Sequence, residues 1–504
     1  MRPIIFPLLL LVLFSNTVDA DSFIKDQATL KSTVHAIDQN ALSNNHWYQQ
    51  GDDWLRDRVK SFQIQSHSVD NSAAKNIILF IGDGMSITTL TAARIWQGQQ
   101  QGKLGEEHFL HFETFPHTAL IKTYNSNQQT PDSAGTMSAI MTGVKTRAGI
   151  ISMGPEQDNT DCKGSTQHHQ QTLLEWGHKQ GFATGIVTTA RLTHATPAAT
   201  YAHSPDRRWE GDYDRHPNAY WYGCDSIAKQ LVEGAFPAGL DLALGGGGSR
   251  LQSYYESFHQ QFPFGHLLNN QKELLKWDAV NEQPSQSGPV LGVFSSGHMD
   301  FESDRTDKQP SLKVMTKMAL KYLQGLDNKY LLVIESARID HAHHNGNAAR
   351  ALAETAMLAD SVQLADDMTR DDDTLIIVTA DHSHTFVMAG YPKRGNPILG
   401  VSKNQQDELV LANDGLPYTS LGYANGSSSG RAKNPQHFAA TEDKNFHQEV
   451  AVALEAETHG SDDVALHAKG PGAYLFSGLM EQNEIFHTML QALSSGDIKV
   501  EESK

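Results

Sequence analysis

Cysteine is scarce in this chain: Cys162 and Cys224 are the two in 504 residues. That excludes a disulfide-dense scaffold and a cysteine-rich zinc cluster, and leaves the pair as one bridge or two buried thiols. Positive charge is also short. Forty Lys and Arg stand against 58 Asp and Glu, a formal net charge of -18. General nucleic-acid binding needs a basic face, so no such role is expected. Long apolar runs are missing too. The stretch Ile4 to Phe14 is too short to span a bilayer. With Arg2 before it and Val18-Asp19-Ala20 after it, residues 1–20 read as a secretory leader cleaved after Ala20. The closing residues Glu501-Glu502-Ser503-Lys504 lack the hydrophobic tail of a lipid-anchor signal. The expectation is an exported protein, periplasmic or secreted, with no membrane anchor.

What the chain does have is a set of short continuous apolar runs with polar residues at their ends. Asn76 to Ile81 breaks into Gly82-Asp83-Gly84-Met85, and Thr184 to Thr188 leads to Arg191-Leu192-Thr193-His194-Ala195-Thr196. Tyr330 to Ile334 leads to Glu335 and on to Asp340-His341-Ala342-His343-His344; Thr374 to Thr379 leads to Asp381-His382-Ser383-His384. Such runs, separated by helical stretches, imply parallel strands buried on both faces. Ligands of these sheets bind beyond the carboxyl ends of the strands, so the four ends are expected to converge.

The residue types there are metal ligands. Asp340 and His344, four apart, share one face of a helix. Asp381 and His382 are adjacent, and His459 is a further candidate from far down the chain. Mixed histidine and carboxylate sets suit zinc, whereas the oxygen-only set Asp83, Thr196 and Glu335 suits magnesium. With 25 histidines in the chain, no single one signals a site; the loading of several strand ends does. Thr130-Pro131-Asp132-Ser133-Ala134-Gly135-Thr136 adds a serine on a turn into an apolar, helix-like stretch. Free N–H groups and the helix dipole at such a start attract an anion, although a capping serine is the plainer reading of DSAG alone.

Together these stretches resemble the alkaline phosphatases, and the animal-type branch more than the lysine-bearing bacterial one. The matching motifs are NIILFIGDGM (76–85), TPDSAGTMSAIMTGVKT (130–146), THATPAATYAHSPDRRW (193–209), ESARIDHAHH (335–344), TADHSH (379–384) and ETHGSDDVALHAKGP (457–471). They keep their order over roughly residues 45–490. The resemblance implies Ser133 as a phosphorylated nucleophile and Arg207, thirteen residues after His194, as the phosphate clamp. It implies two zinc ions, one on Asp340, His344 and His459 and one on Asp83, Asp381 and His382. A magnesium ion falls to Asp83, Thr196 and Glu335, with His194 beside it. His341 stands where the other branch has lysine, and is expected near phosphate without ligating a metal. No calcium is expected, because Ser295 and Gln309 replace acidic ligands of the animal-type enzymes. The Cys162–Cys224 disulfide, a homodimer and small phosphate monoesters as substrates follow from the same resemblance.

The implied fold is α/β, a doubly wound, mostly parallel central sheet flanked by helices. One domain spans 71–500 after a helical extension at 21–70, whose family counterpart packs on a partner subunit. A turn-rich insertion at about 390–440 resembles a crown segment at a dimer interface. The Gly245–Gly248 run reads as a turn after a strand, Ala473 to Phe476 as a strand, and Glu481 to Leu493 as a helix. A sulfatase reading fails because Ser133-Ala134-Gly135 lacks the proline and arginine that chemistry uses. A diesterase and a non-catalytic binding protein remain as rivals.

Overall fold

The apolar runs do become strands. In the computed structural model, which describes residues 45–65, 73–277, 288–326, 328–427 and 440–494, the first six are Asn76–Gly82 (β1), His117–Lys122 (β2), Ala183–Arg191 (β3), Leu242–Gly246 (β4), His266–Leu268 (β5) and Val290–Val293 (β6). Tyr330–Ser336 (β7), Thr374–Ala380 (β8), Ser383–His384 (β9), Phe386–Met388 (β10) and Leu421–Gly426 (β11) come next. Val450–Ala453 (β12), His459–Gly460 (β13), Val464–Lys469 (β14) and Gly478–Glu481 (β15) complete the series. The proposed leader lies outside the described residues.

One sheet of ten strands has the order β15-β2-β14-β8-β1-β7-β3-β4-β6-β5. Its pairings are parallel except those of β14, which runs against β2 and β8. β1 is the switch point, and its Gly82 is level with Ser336 of β7 and Ala380 of β8. That register puts Asp83 and Asp381 one residue past the same edge. The strands are continuously apolar because both faces are covered. Leu331 packs at Gly177 on one face, while its neighbour Leu332 meets Leu323 at Gly185 on the other.

The helices that matter to the site are His46–Gln65 (α1), Ile87–Gln100 (α2), Ser133–Thr142 (α3), Leu173–Lys179 (α4), Ala195–Ala198 (α5), Leu312–Gly325 (α6), Arg338–His344 (α7), Ala348–Asp367 (α8) and Glu484–Ser494 (α9). Oxygen caps start several of them: Ser86 accepts from Thr89 N–H, Asp132 from Gly135 N–H, Ser311 from Val314 N–H and Asn347 from Arg350 N–H. Within the chain, α1 buries Leu55 and Val59 on Leu475, and Tyr48 on Phe486 and His487 of α9.

Two readings need correction. Ala473–Leu475 is a single 3-10 turn, held between Gly472 and Gly478, both at positive φ, and the strand follows it at Gly478–Glu481. Ser133 is the first residue of α3, and the cap is Asp132. In the insertion, Leu409 pairs with Lys403, Leu411 with Pro417 and Thr419 with Val401. β11 belongs to a separate three-stranded sheet, β10-β11-β12. Residues 428–439 of the turn-rich stretch lie outside the described residues.

Candidate active site

Ser133 sits where α3 starts, with its Oγ 3.1 Å from His382 Nε2. The Asp132 cap also anchors Arg207, whose Nη1 donates to Asp132 Oδ2 at 2.9 Å. Arg207 Nη2 donates to His194 Nε2 at 3.3 Å. Those two contacts fix the guanidinium plane, and each terminal nitrogen keeps a second N–H for an incoming oxygen. Neighbouring Arg208 turns away to Asp206 and is largely exposed. The spacing from His194 had favoured Arg207.

Three side chains, one from the same helix and two from distant segments, gather around Asp340. Its Oδ1 lies 2.8 Å from His384 Nε2, 3.2 Å from His344 Nε2 and 3.3 Å from His459 Nε2. His344 and His459 bring their Nε2 atoms within 3.0 Å of each other. Their Nδ1 atoms donate to carbonyl oxygens, His344 to Glu457 at 2.6 Å and His459 to Pro131 at 2.7 Å. A carbonyl only accepts, so each Nε2 is left to present its lone pair inwards. Converging lone pairs beside a carboxylate call for a cation.

The second cluster follows from strand register. Asp83, Asp381 and His382 place one ligand atom each within 4.8 Å of one another. Gly84 N–H donates to Asp381 Oδ1 at 3.0 Å, and the backbone there has φ +68, with His384 so near that a Cβ would collide with it. Glycine is required at that turn. The third set shares Asp83: with Glu335 and His194 it again fits within 4.8 Å. Its atoms are strikingly bare for a buried place. Neither oxygen of Asp83 receives a hydrogen bond, nor do Thr196 Oγ1, Glu335 Oε1 or His194 Nδ1 have partners. Buried polar atoms without partners are costly. Bound divalent cations would satisfy the oxygens of Asp83, Thr196 and Glu335, whereas His194 Nδ1 carries a proton because its Nε2 accepts from Arg207. The donors fit, nitrogen and carboxylate for zinc, oxygen for magnesium.

The electrostatics agree. Burial, with the charges of Asp381 and Asp340 adding to it, pushes Asp83 well above the usual carboxylate range. Glu335 is pushed up to about 8, chiefly by burial. Carboxylates in that state hold protons when no cation is near and release them to one. Burial opposes the charge on Asp340, yet His344, His384 and His459 together hold it well below the ordinary value.

Asp83, His194, Glu335, Asp340, His344, Asp381, His382 and His459 thus gather into neighbouring groups of possible ligands, and Cys162 and Cys224 are bonded, with Cα atoms 6.0 Å apart. Three contributors were missed. His384 joins Glu457 at 2.6 Å to Asp340 at 2.8 Å, and although burial disfavours its charge, the two carboxylates raise it to about 10. It holds Asp340 in place. Its spacing from His382 was the visible signal, but Glu457 had none. His298, from the chain after β6, packs edge-on against His194 and tilted against His341, and carried no signal.

Cations held beside a serine at a helix start, with an arginine fixed across from it, serve the transfer of a dianionic group. The class this defines is the metal-assisted phosphohydrolases. Known proteins agree. The family model for alkaline phosphatase matches residues 74–495. The rat tissue-nonspecific isozyme of alkaline phosphatase is 37% identical over 482 residues, covering 90% of this chain and 89% of its own. The chicken isozyme is 38% identical over 481 residues, with the same coverage. The alkaline phosphatase of the Antarctic bacterium TAB5 covers 84% of this chain at TM-score 0.59 and 20% identity, a likeness of fold. The chain belongs to the alkaline phosphatase family. It is an enzyme of that type, and the family's reaction is phosphate monoester hydrolysis.

Proposed function

We propose that the protein hydrolyses phosphate monoesters at alkaline pH through a phosphoserine at Ser133, with two zinc ions and one magnesium ion per chain. The supporting observation is the contact of Ser133 Oγ with His382 beside three groups of possible ligand atoms, two of which share Asp83, whose oxygens have no hydrogen-bond partner. Asp340, His344 and His459 would hold one zinc, Asp83, Asp381 and His382 the other. Asp83, Thr196 and Glu335 would hold magnesium, with His194 beside it. Cations held there would supply Lewis-acid stabilisation of the charge that develops on the reacting oxygens.

The chain's own groups do the rest. Arg207 presents its free N–H groups to two non-bridging oxygens, neutralising part of the dianion. Ser133 Oγ attacks phosphorus in line and the ester P–O bond breaks, releasing the alcohol. A water then attacks the phosphoserine from the same side that the alcohol left, freeing phosphate and restoring the serine. Two inversions give net retention at phosphorus. Alkaline pH favours the ligand atoms without their protons, which is the state that binds metal.

Homodimerisation is part of the proposal. Val387, Met388, Leu409, Leu411, Val452 and Tyr391 are exposed on the small sheet and the insertion, and a second copy would cover them. Export is supported by the disulfide; no helix among the described residues is long and apolar enough to cross a membrane.

The test is acid trapping of labelled phosphate on the metal-loaded enzyme, with Ser133→Ala as comparison. Label on Ser133, lost in the variant while zinc content is kept, is the expected result. Label elsewhere, or full turnover by metal-free protein, overturns the reading.

A further inference from the structure

Beyond the ligand sets, three histidines meet at the same sheet edge: His194 after β3, His298 after β6 and His341 on α7. Ring centroids are 4.1 Å apart for His298–His341, 5.2 Å for His194–His298 and 5.5 Å for His194–His341. One nitrogen of each lies within 4.8 Å of the others. Such a trio resembles a metal site, but its hydrogen bonds point the other way.

A guanidinium has only donors to offer. His298 Nε2 faces Arg191 Nη1, His341 Nδ1 faces Arg338 Nη1 at 3.2 Å, and His194 Nε2 faces Arg207 Nη2 at 3.3 Å. Each of those nitrogens must therefore accept. In a neutral ring the proton then sits on the other nitrogen, so His298 Nδ1 and His341 Nε2 are N–H donors. His298 Nδ1 is buried without a partner, and His341 Nε2 is 4.0 Å from the nearest carboxylate oxygen, on Asp340. This is the reverse of His344 and His459, whose carbonyl contacts leave lone pairs facing inwards. Three guanidiniums alongside also repel a cation. The nearby carboxylates are already engaged, Glu210 by both arms of Arg191 at 2.7 and 2.5 Å and Asp340 by His384.

The frame is rigid. Gly247 N–H donates to Ser295 O at 3.0 Å and to Gly297 O at 2.9 Å, and Met299 N–H donates to Thr189 O at 3.0 Å. Gly246 is needed for this approach, since a Cβ on it would lie 2.3 Å from Gly297 O. The glycine run thus seats the loop that carries His298.

We propose that His298, His341 and Arg191 form a second oxyanion pocket beside the Ser133 centre, for either a second phosphoryl group on the substrate or a second free phosphate ion. The proposal rests on phosphoryl transfer at Ser133. A donor pair held in advance by backbone contacts binds without reordering, which favours affinity.

The test compares metal-loaded wild type with His298→Ala and His298→Asn, using an aryl phosphate and inorganic pyrophosphate, with phosphate inhibition measured alongside. If the pocket takes a second phosphoryl group, His298→Ala lowers the ratio of pyrophosphate to aryl phosphate kcat/KM about tenfold, the worth of one hydrogen bond to a charged group. His298→Asn, which keeps an N–H, recovers part of it. If the pocket takes a free ion, the ratio holds, and phosphate inhibition changes from two-ion to one-ion dependence. An equal fall in both substrates would make His298 a support of the shared centre and overturn the pocket. Unchanged ratio and unchanged inhibition would overturn it too. Wild type that fails to hydrolyse the aryl phosphate would refute the phosphatase reading, and two-ion phosphate binding by calorimetry would still judge the pocket.

Discussion

Stripping the cations should make stability fall as pH rises from about 6.5 to 8. Two buried groups at the centre have folded-state values above their unfolded ones: Glu335 goes from 4.5 to about 8 and His384 from 6.5 to about 10. Inside that window the folded, metal-free chain keeps both protons and the unfolded chain sheds them. The folded state binds more protons, so stability is present at low pH and lost on raising it. Each group costs about 1.4 kcal/mol per pH unit, so the pair removes roughly 4 kcal/mol over the window. Asp83, Asp381 and His344 are raised as well and act in the same direction. His194, His298, His341 and His382 are lowered, so above their ordinary value they are neutral in both states and silent. Lys145, lowered to about 8 chiefly by burial, opposes the trend above that pH and sets the upper limit. Glu354 and Glu484, each near 7, belong to both forms of the protein and cancel in the comparison. Urea unfolding of metal-free and metal-loaded protein at pH 6.5 and 8 is the assay. The gap between the two forms should widen with pH. A metal-free protein equally stable at both, with no widening, would refute the assignment of Glu335 and His384 to the cation centre.

Arg207→Ala should lower kcat/KM by about a hundredfold to a thousandfold, in line with loss of one aimed transition-state donor, and weaken phosphate inhibition; steady-state kinetics with an aryl phosphate would check it. Replacing Cys162 and Cys224 by serine should cost about 4 kcal/mol in the chain-entropy account, since the bridge closes a separation of 62 residues; denaturant unfolding should show the loss with kcat nearly kept. Tyr423→Phe removes the hydroxyl 2.9 Å from His343 Nδ1, and His343 packs against His384 at 4.9 Å. Chelator-driven inactivation should then speed up about tenfold, while kcat at saturating zinc is retained.

Much of the site was legible because each part is local. A fully buried parallel strand must be apolar throughout, so NIILFI and TLIIVT announced themselves, and the first polar residues after them, Asp83 and Asp381, fell at the strand ends. Asp340 and His344 shared a helix face by spacing alone. The strand expected at Ala473 failed because a short apolar stretch carries no period of its own, and the flanking glycines turned the chain.

By itself, then, the sequence determined the four central strands β1, β3, β7 and β8, which residues end them and which donor types are on offer, since these depend on local apolarity and chemistry. The tertiary structure decided what those donors face. Gly82 level with Ser336 and Ala380 brings Asp83 and Asp381 together. A carbonyl behind His344 and a guanidinium behind His298 assign opposite roles to two identical side chains. An imidazole shows a lone pair or an N–H according to what holds its other nitrogen, and that partner comes from elsewhere in the chain.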